Sequence, residues 1–206
     1  DATYQTMMKA ELFDEGRDRY ILWRMERTLQ QTVYTLLEQV RKGSFVPHAF
    51  EVDFREVGDL DALRYQLDKM HTMRLRGKID RVDLYRDAQK VYVKIVDYKS
   101  GVKDIDFSRL YDGLQVQLVL YMDAMEESLK KQYPTHSVEP GAMLYYHIDR
   151  PVLDVQDVQK LGKEEAVLKA LQMKGVVNAD MNVIEALHHG LEGYSDVIPV
   201  HITKDG

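Results

Sequence analysis

The chain has 206 residues, a formal net charge of −6, 45% apolar residues and no cysteine. This is enough apolar material for one sizeable core. It excludes disulfides, thiolate zinc sites and Cys-ligated iron–sulfur clusters within the chain, and it suits a reducing, cytoplasmic setting. The acidic balance does not advertise nucleic-acid binding, and no apolar run is long enough to span a bilayer as a helix.

The chain starts at Asp1 rather than Met, the expectation for a fragment or a processed product. Residues 11–42 read as one helix. Leu12, Leu22, Met25, Leu29, Val33, Leu36, Leu37 and Val40 recur at three- and four-residue steps, and Gly43 supplies a stop. Trp23 and Tyr34 on that helix are expected to pack into a core. After Pro47, Phe50, Val52 and Phe54 alternate with Glu51 and Asp53, which predicts a half-buried strand. A short strand over 62–67 and a turn at 68–70 come next, then a strand from Thr72 to Tyr85. A loop carrying Asp104 and Asp106 follows Gly101. A second long helix is predicted over 107–132, ending before Pro134. Glu139-Pro140-Gly141 reads as a turn, and Ala142 to Ile148 as a strand stopped near Pro151. Residues 154–174 read as a charged amphipathic helix ending at Gly175, 179–189 as a short helix, and Val197 to Ile202 as a last strand. There is no internal repeat. The whole reads as a single α/β domain: a core over about 45–150, the N-terminal helix before it, and an α-rich C-terminal appendage over about 151–206.

The stretch with chemical content is Gly77–Gly101, two strands joined by a turn. Side chains alternate faces along a strand, so Val91, Val93, Ile95, Asp97 and Lys99 share one face. The first three are apolar, and the last two project from the strand's end. Asp80 stands in the same relation to Val82 and Leu84. Carboxylate oxygens are hard ligands that suit Mg²⁺ or Mn²⁺. Asp80 and Asp97 are therefore the candidate metal ligands, with the Tyr98 backbone carbonyl as a further one. Glu51, on a neighbouring strand, is a candidate third carboxylate, directly or through a water. Lys99 cannot bind a cation. It can position or deprotonate a nucleophilic water, or offset charge building on a phosphate. Asp83 has the opposite parity and is expected to bond a neighbouring arginine or a backbone group.

Basic residues concentrate here despite the overall acidity, with ten Lys/Arg against six Asp between Arg74 and Arg109. Gln117 and Tyr121 fall on one helical stripe with Leu110 and Leu114. That pair can touch a DNA phosphate or the attacking water, or it can be a buried Gln satisfying backbone beside a core Tyr. His188-His189 are adjacent on a helix and do not face each other. His147 reads as a core histidine, and His48 and His71 as exposed. No P-loop and no Gly-x-Ser-x-Gly elbow is present.

The ordered set Gly77-Lys-Ile-Asp80, Ile95-Val-Asp97-Tyr-Lys99-Ser-Gly101 and Gln117-Leu-Val-Leu-Tyr121 resembles the RecB-type nuclease branch of the PD-(D/E)XK superfamily. The likeness is best over roughly 45–150, and Ala142–Pro151 is similar to the strand after the motif helix. It implies a restriction-endonuclease-like core, a mixed central sheet flanked by helices, and Mg²⁺- or Mn²⁺-dependent cleavage of DNA. It implies Asp80 and Asp97 as metal ligands, Lys99 as the catalytic lysine, Glu51 as the acidic position on the preceding strand, and Gln117 and Tyr121 as the DNA-contacting pair. The implied partners are single-stranded DNA and the helicase domains or partner subunit of a helicase–nuclease that processes double-strand breaks. Two features depart from the pattern. Some members carry four cysteines for an iron–sulfur cluster, and this chain has none. RecB-type enzymes place a metal-binding His on a helix before the core, and residues 11–42 contain no His. These departures leave open a non-catalytic scaffold or DNA-guiding domain on the same fold, with a stand-alone exonuclease as a third reading.

Overall fold

The period-two pattern of residues 77–99 builds the middle of the molecule. The computed structural model describes residues 15–54, 64–66, 68, 70–74, 77–100 and 117–203. In chain order it has helix α1 (Glu15–Arg41), then strands β1 (Val46–Phe54), β2 (Arg64–Gln66), β3 (Thr72–Arg74), β4 (Gly77–Arg86) and β5 (Lys90–Lys99). Helix α2 (Gln117–Gln132) and strand β6 (Ser137–His147) follow. The remainder is α3 (Val155–Leu161), α4 (Lys163–Ala170), β7 (Lys174–Val177), α5 (Met181–Leu187), β8 (Gly193–Tyr194) and β9 (His201–Ile202). The expected loop at 101–106 and the first half of the helix at 107–132 lie outside the described residues.

Five strands form one sheet in the order β1-β4-β5-β6-β7. Only β5 and β6 run parallel; the other neighbours are antiparallel. A parallel pair needs a crossover, and α2 lies on it. One sheet face carries Val82, Leu84, Val91, Val93, Ile95 and Tyr145 beneath Leu118, Met122, Met125 and Leu129 of α2. The other face carries Tyr92, Val96, Leu144 and Tyr146 and is closed by Phe45, Leu171, Met173, Val183, Leu187 and Ile198. The last fifty residues are thus woven into the core, with β7 extending the sheet.

Several local expectations are corrected. Glu139-Pro140-Gly141 is no turn but the interior of β6. The register with β5 slips between Val93 and Lys94, making a bulge at Pro140-Gly141. The displaced carbonyls are taken up by Asn178, whose Nδ2 donates to Pro140 O and whose N–H donates to Gly141 O, each at 2.9 Å. The helix expected over 154–174 breaks in two at Gly162, where φ is +84°. Only its last residue, Lys174, belongs to a strand, as the start of β7. There Gly175 (φ +151°) lies against β6 so closely that a Cβ would stand 2.1 Å from Met143 O. The strand expected from Thr72 to Tyr85 is two strands, β3 and β4. Of Val197–Ile202, only His201–Ile202 is strand, while Val197 and Ile198 fill the core.

The three- and four-residue steps of α1 do make a helix, but of its apolar stripe only the end near Leu36 packs against the core. Its buried residues are Thr32, Thr35 and Gln39. The two threonines lie against the buried Tyr146 phenol, and Gln39 Nε2 donates to Leu171 O at 3.2 Å. Leu22, Met25, Leu29 and Val33 stay more than half exposed, and Trp23 and Tyr34 are 43% and 42% exposed. The expectation that Trp23 and Tyr34 enter a core therefore fails. Only the last turns of α1 reach the sheet, and a periodic stripe does not specify what covers it.

Candidate active site

The site grows from the end of the β4–β5 ladder. The last backbone pair is Arg81 with Val96, and one step further would oppose Asp80 and Asp97. There the ladder gives way to a side chain: Asp80 Oδ2 accepts the Tyr98 N–H at 2.8 Å. Lys99 turns its backbone toward β6, where its carbonyl oxygen accepts the Ile148 N–H at 2.9 Å. Backbone groups alternate sides along a strand, so both Tyr98 groups face the β4 side, and its carbonyl lies on the same edge as the Asp80 carboxylate.

Asp97 continues the apolar face of Val91, Val93 and Ile95 and is itself 3% exposed. A buried carboxylate needs compensation, and the Lys99 ammonium supplies it by pairing with Asp97 Oδ2. Burial works against the Lys99 charge. The Asp97 hydrogen bond and charge outweigh it, with smaller help from Tyr145 and Asp80, and its pKa is raised. Lys99 is therefore a cation at neutral pH, which favours the electrostatic role over the general base.

Strand β6 contributes residues that the strand pattern alone did not flag. In the parallel register Tyr145 stands beside Asp97 and His147 beside Lys99. The Lys99 Nζ lies 5.6 Å from the centre of the Tyr145 ring, a cation–π contact. Burial first, then the Asp97 charge, raises the Tyr145 pKa, and Tyr121 adds to the effect. Tyr121 is buried in α2, and its hydroxyl accepts a hydrogen bond from Gln117 Nε2 at 2.8 Å, with Gln117 at the exposed start of the helix. The parity of Tyr145 was visible, but a parallel register is set by a distant crossover and leaves no local mark.

Glu51 lies between the paired positions Phe50–Arg81 and Val52–Ile79, level with Asp80, but its side chain turns to Lys78. It has the one positive φ among the described non-glycine residues, +55°. Its carboxylate accepts from Lys78 Nζ at 2.5 Å, with the Glu51 side chain 71% exposed. Among the described residues no group of three or more His, Asp or Glu is arranged to hold a metal. The donor set still fits a hard divalent ion. Mg²⁺ binds through one or two carboxylates and keeps several waters, and Asp80, Asp97 and the Tyr98 carbonyl edge meet that demand.

The opposite face shows where Asp83 goes. It is fully buried and accepts a bidentate pair from Arg81, Nε at 2.6 Å and Nη2 at 2.7 Å. Lys94 Nζ pairs with it at 2.8 Å, and burial pulls the Lys94 pKa down. The expected arginine partner is thus present. His188 and His189 diverge as expected: His188 Nδ1 lies 2.8 Å from Ser195 Oγ, and His189 Nε2 lies 3.1 Å from Ser44 Oγ. Two surface clefts of about 330 and 540 Å³ are lined by none of Asp80, Asp97, Lys99, Gln117 and Tyr121.

Comparison with known proteins bears on the family and the fold. Residues 1–192 match the PD-(D/E)XK nuclease superfamily. The chain belongs to that superfamily, and its mixed sheet between helices is a restriction-endonuclease-like fold. Among its relatives are proteins named as subunits of an ATP-dependent helicase/deoxyribonuclease. The one from Alkaliphilus oremlandii is 36% identical over 190 residues, 92% of this chain and 16% of the relative. That from Lachnoclostridium phytofermentans is 41% identical over 199 residues, 92% and 16% respectively. That from Acetivibrio thermocellus is 38% identical over 209 residues, 100% and 18%. The chain thus spans less than a fifth of the length of these relatives.

Proposed function

We propose that this domain hydrolyses DNA phosphodiester bonds with the help of Mg²⁺ or Mn²⁺, as the nuclease portion of a helicase–deoxyribonuclease that trims DNA at double-strand breaks. The observation that carries this reading is the meeting of Asp80, Asp97 and Lys99 at the end of β4 and β5. Asp80, Asp97 and the Tyr98 carbonyl would hold the cation. Such an ion supplies positive charge for the scissile phosphate and its developing negative charge. Lys99, kept protonated by Asp97, adds a second positive charge and orients the attacking water. Gln117, exposed at the start of α2, is placed to contact the strand, and Tyr121 fixes the Gln117 amide through its hydroxyl.

The substrate would be single-stranded DNA delivered by helicase domains or a partner subunit, in line with the names of the relatives. The test is cleavage of end-labelled single strands with Mn²⁺ or Mg²⁺. Lys99→Ala should lower the rate about 10²–10³-fold, the usual cost of losing one transition-state charge contact. A Lys99→Ala protein that cuts at the wild-type rate would sink the reading.

The outward turn of Glu51 favours a second reading, a DNA-guiding domain without catalysis. Mn²⁺ calorimetry separates the two. Binding that is lost in Asp97→Asn supports the enzyme, and no binding by the unaltered protein supports the guide.

A further inference from the structure

We propose that the exposed first half of α1, together with Arg150, is a stacking platform for single-stranded nucleic acid leading to the Asp97–Lys99 end of the sheet. The inference rests on the nuclease reading for its biological sense, but not for its test. Trp23 is 43% exposed and Tyr20 57% exposed. Their rings lie 6.1 Å apart. Two guanidinium groups attend Trp23: Arg27 one turn on, with Cζ 5.9 Å from the ring centre, and Arg150 from beyond β6, with Cζ at 5.4 Å. Aromatic faces interleaved with arginines are what an unpaired strand needs. Bases stack on the rings whatever their sequence, and guanidiniums take the phosphates.

Charge is sorted around the first half of this helix. At 100° per residue, Tyr20, Trp23, Arg24 and Arg27 fall within an arc of about 100°. Asp18 and Glu26 fall outside that arc. The acidic chain therefore carries a local cationic stripe that its net charge of −6 conceals. Arg150 ties the stripe to the end of the sheet that carries the site. Ile148 N–H bonds Lys99 O at 2.9 Å, and Arg150 is two residues further, about 7 Å of extended chain. Asp149 beside it uses its carboxylate on the Arg150 N–H at 2.6 Å, a local turn bond. A strand stacked on Tyr20 and Trp23 would displace the guanidiniums from the Trp23 ring toward its phosphates and continue over Arg150 to Lys99.

Trp23 is the single tryptophan of the chain, so its emission reports on this surface alone. The 206-residue chain is titrated with short oligo(dT) in EDTA, where no metal-assisted cleavage proceeds, and the same strand is followed by fluorescence anisotropy. The expected result is saturable quenching by the single strand and weaker quenching by duplex of equal length. Trp23→Ala should weaken binding about tenfold, and Trp23→Phe should restore most of it. Arg150→Gln should reduce the salt slope of log K by about 0.7, one phosphate contact on a single strand. Exposure of both side chains lets the variants fold, which circular dichroism checks. Unquenched emission at saturating strand, or wild-type affinity in both Trp23→Ala and Arg150→Gln, overturns the platform and leaves the exposed aromatics to a protein partner. Loss of the nuclease reading would show differently, as undiminished cleavage by Lys99→Ala with the quenching intact.

Discussion

Asp97 sits where an apolar strand runs out, 3% exposed and held by Lys99. A carboxylate so placed is costly unless a cation stays with it, so the pair is both a stability element and the centre of the proposed site. The distinct position of Glu51 makes a discriminating prediction. In Mn²⁺ calorimetry Asp80→Asn and Asp97→Asn should abolish or greatly weaken binding, while Glu51→Gln should leave it within a factor of about two, since its carboxylate is spent on an exposed ion pair worth little. On the other face, Asp83 pairs with both Arg81 and Lys94. Asp83→Asn strands two buried cations and should cost about 3–5 kcal/mol, read by urea unfolding, with the proposed metal site spared in whatever fraction stays folded. The arginine partner of Asp83 was legible from strand parity. Lys94 as a second partner was not, because it comes from the neighbouring strand.

At the scale of elements, glycines decided what propensity could not. Gly175 lets β7 lie against β6, and Gly175→Ala should cost about 1–3 kcal/mol through the clash with Met143 O. The measurement is chemical denaturation, with loss of the β7 edge in hydrogen exchange. The α5–β8 region carries a pH prediction. Burial pushes the His188 pKa below its ordinary 6.5, against the pull of Asp196. Below 6.5 the unfolded chain takes up a proton that the folded chain refuses, so stability falls as pH drops through that region. His188→Asn, measured by urea midpoints between about pH 7 and 5, should flatten the decline. The helix break at Gly162 shows the reverse difficulty. A charged, evenly spaced segment reads as one helix until Leu171 and Met173 are needed in the core.

For the molecule as a whole, α1 matters most. Its polar residues Thr32, Thr35 and Gln39 are buried, while Leu22, Met25, Leu29 and Val33 face outward. Leu29→Gln should therefore change the unfolding free energy by no more than about 0.5 kcal/mol and reduce the binding of an apolar dye. A larger loss of stability would mean that the stripe is covered within the folded chain.

The sequence alone determined the strands that carry Asp80, Asp97 and Lys99, because alternation is a local property of a pleated backbone. It determined the PD-(D/E)XK nuclease superfamily through motif order, and the helical period of α1. Tertiary structure decided the rest. It turned Glu51 outward onto Lys78, brought Tyr145 and His147 alongside Asp97 and Lys99 through a parallel register, and chose the polar side of α1 for burial. Each of those outcomes depends on which surface arrives opposite, and a pattern of residues along one chain does not encode its distant neighbour.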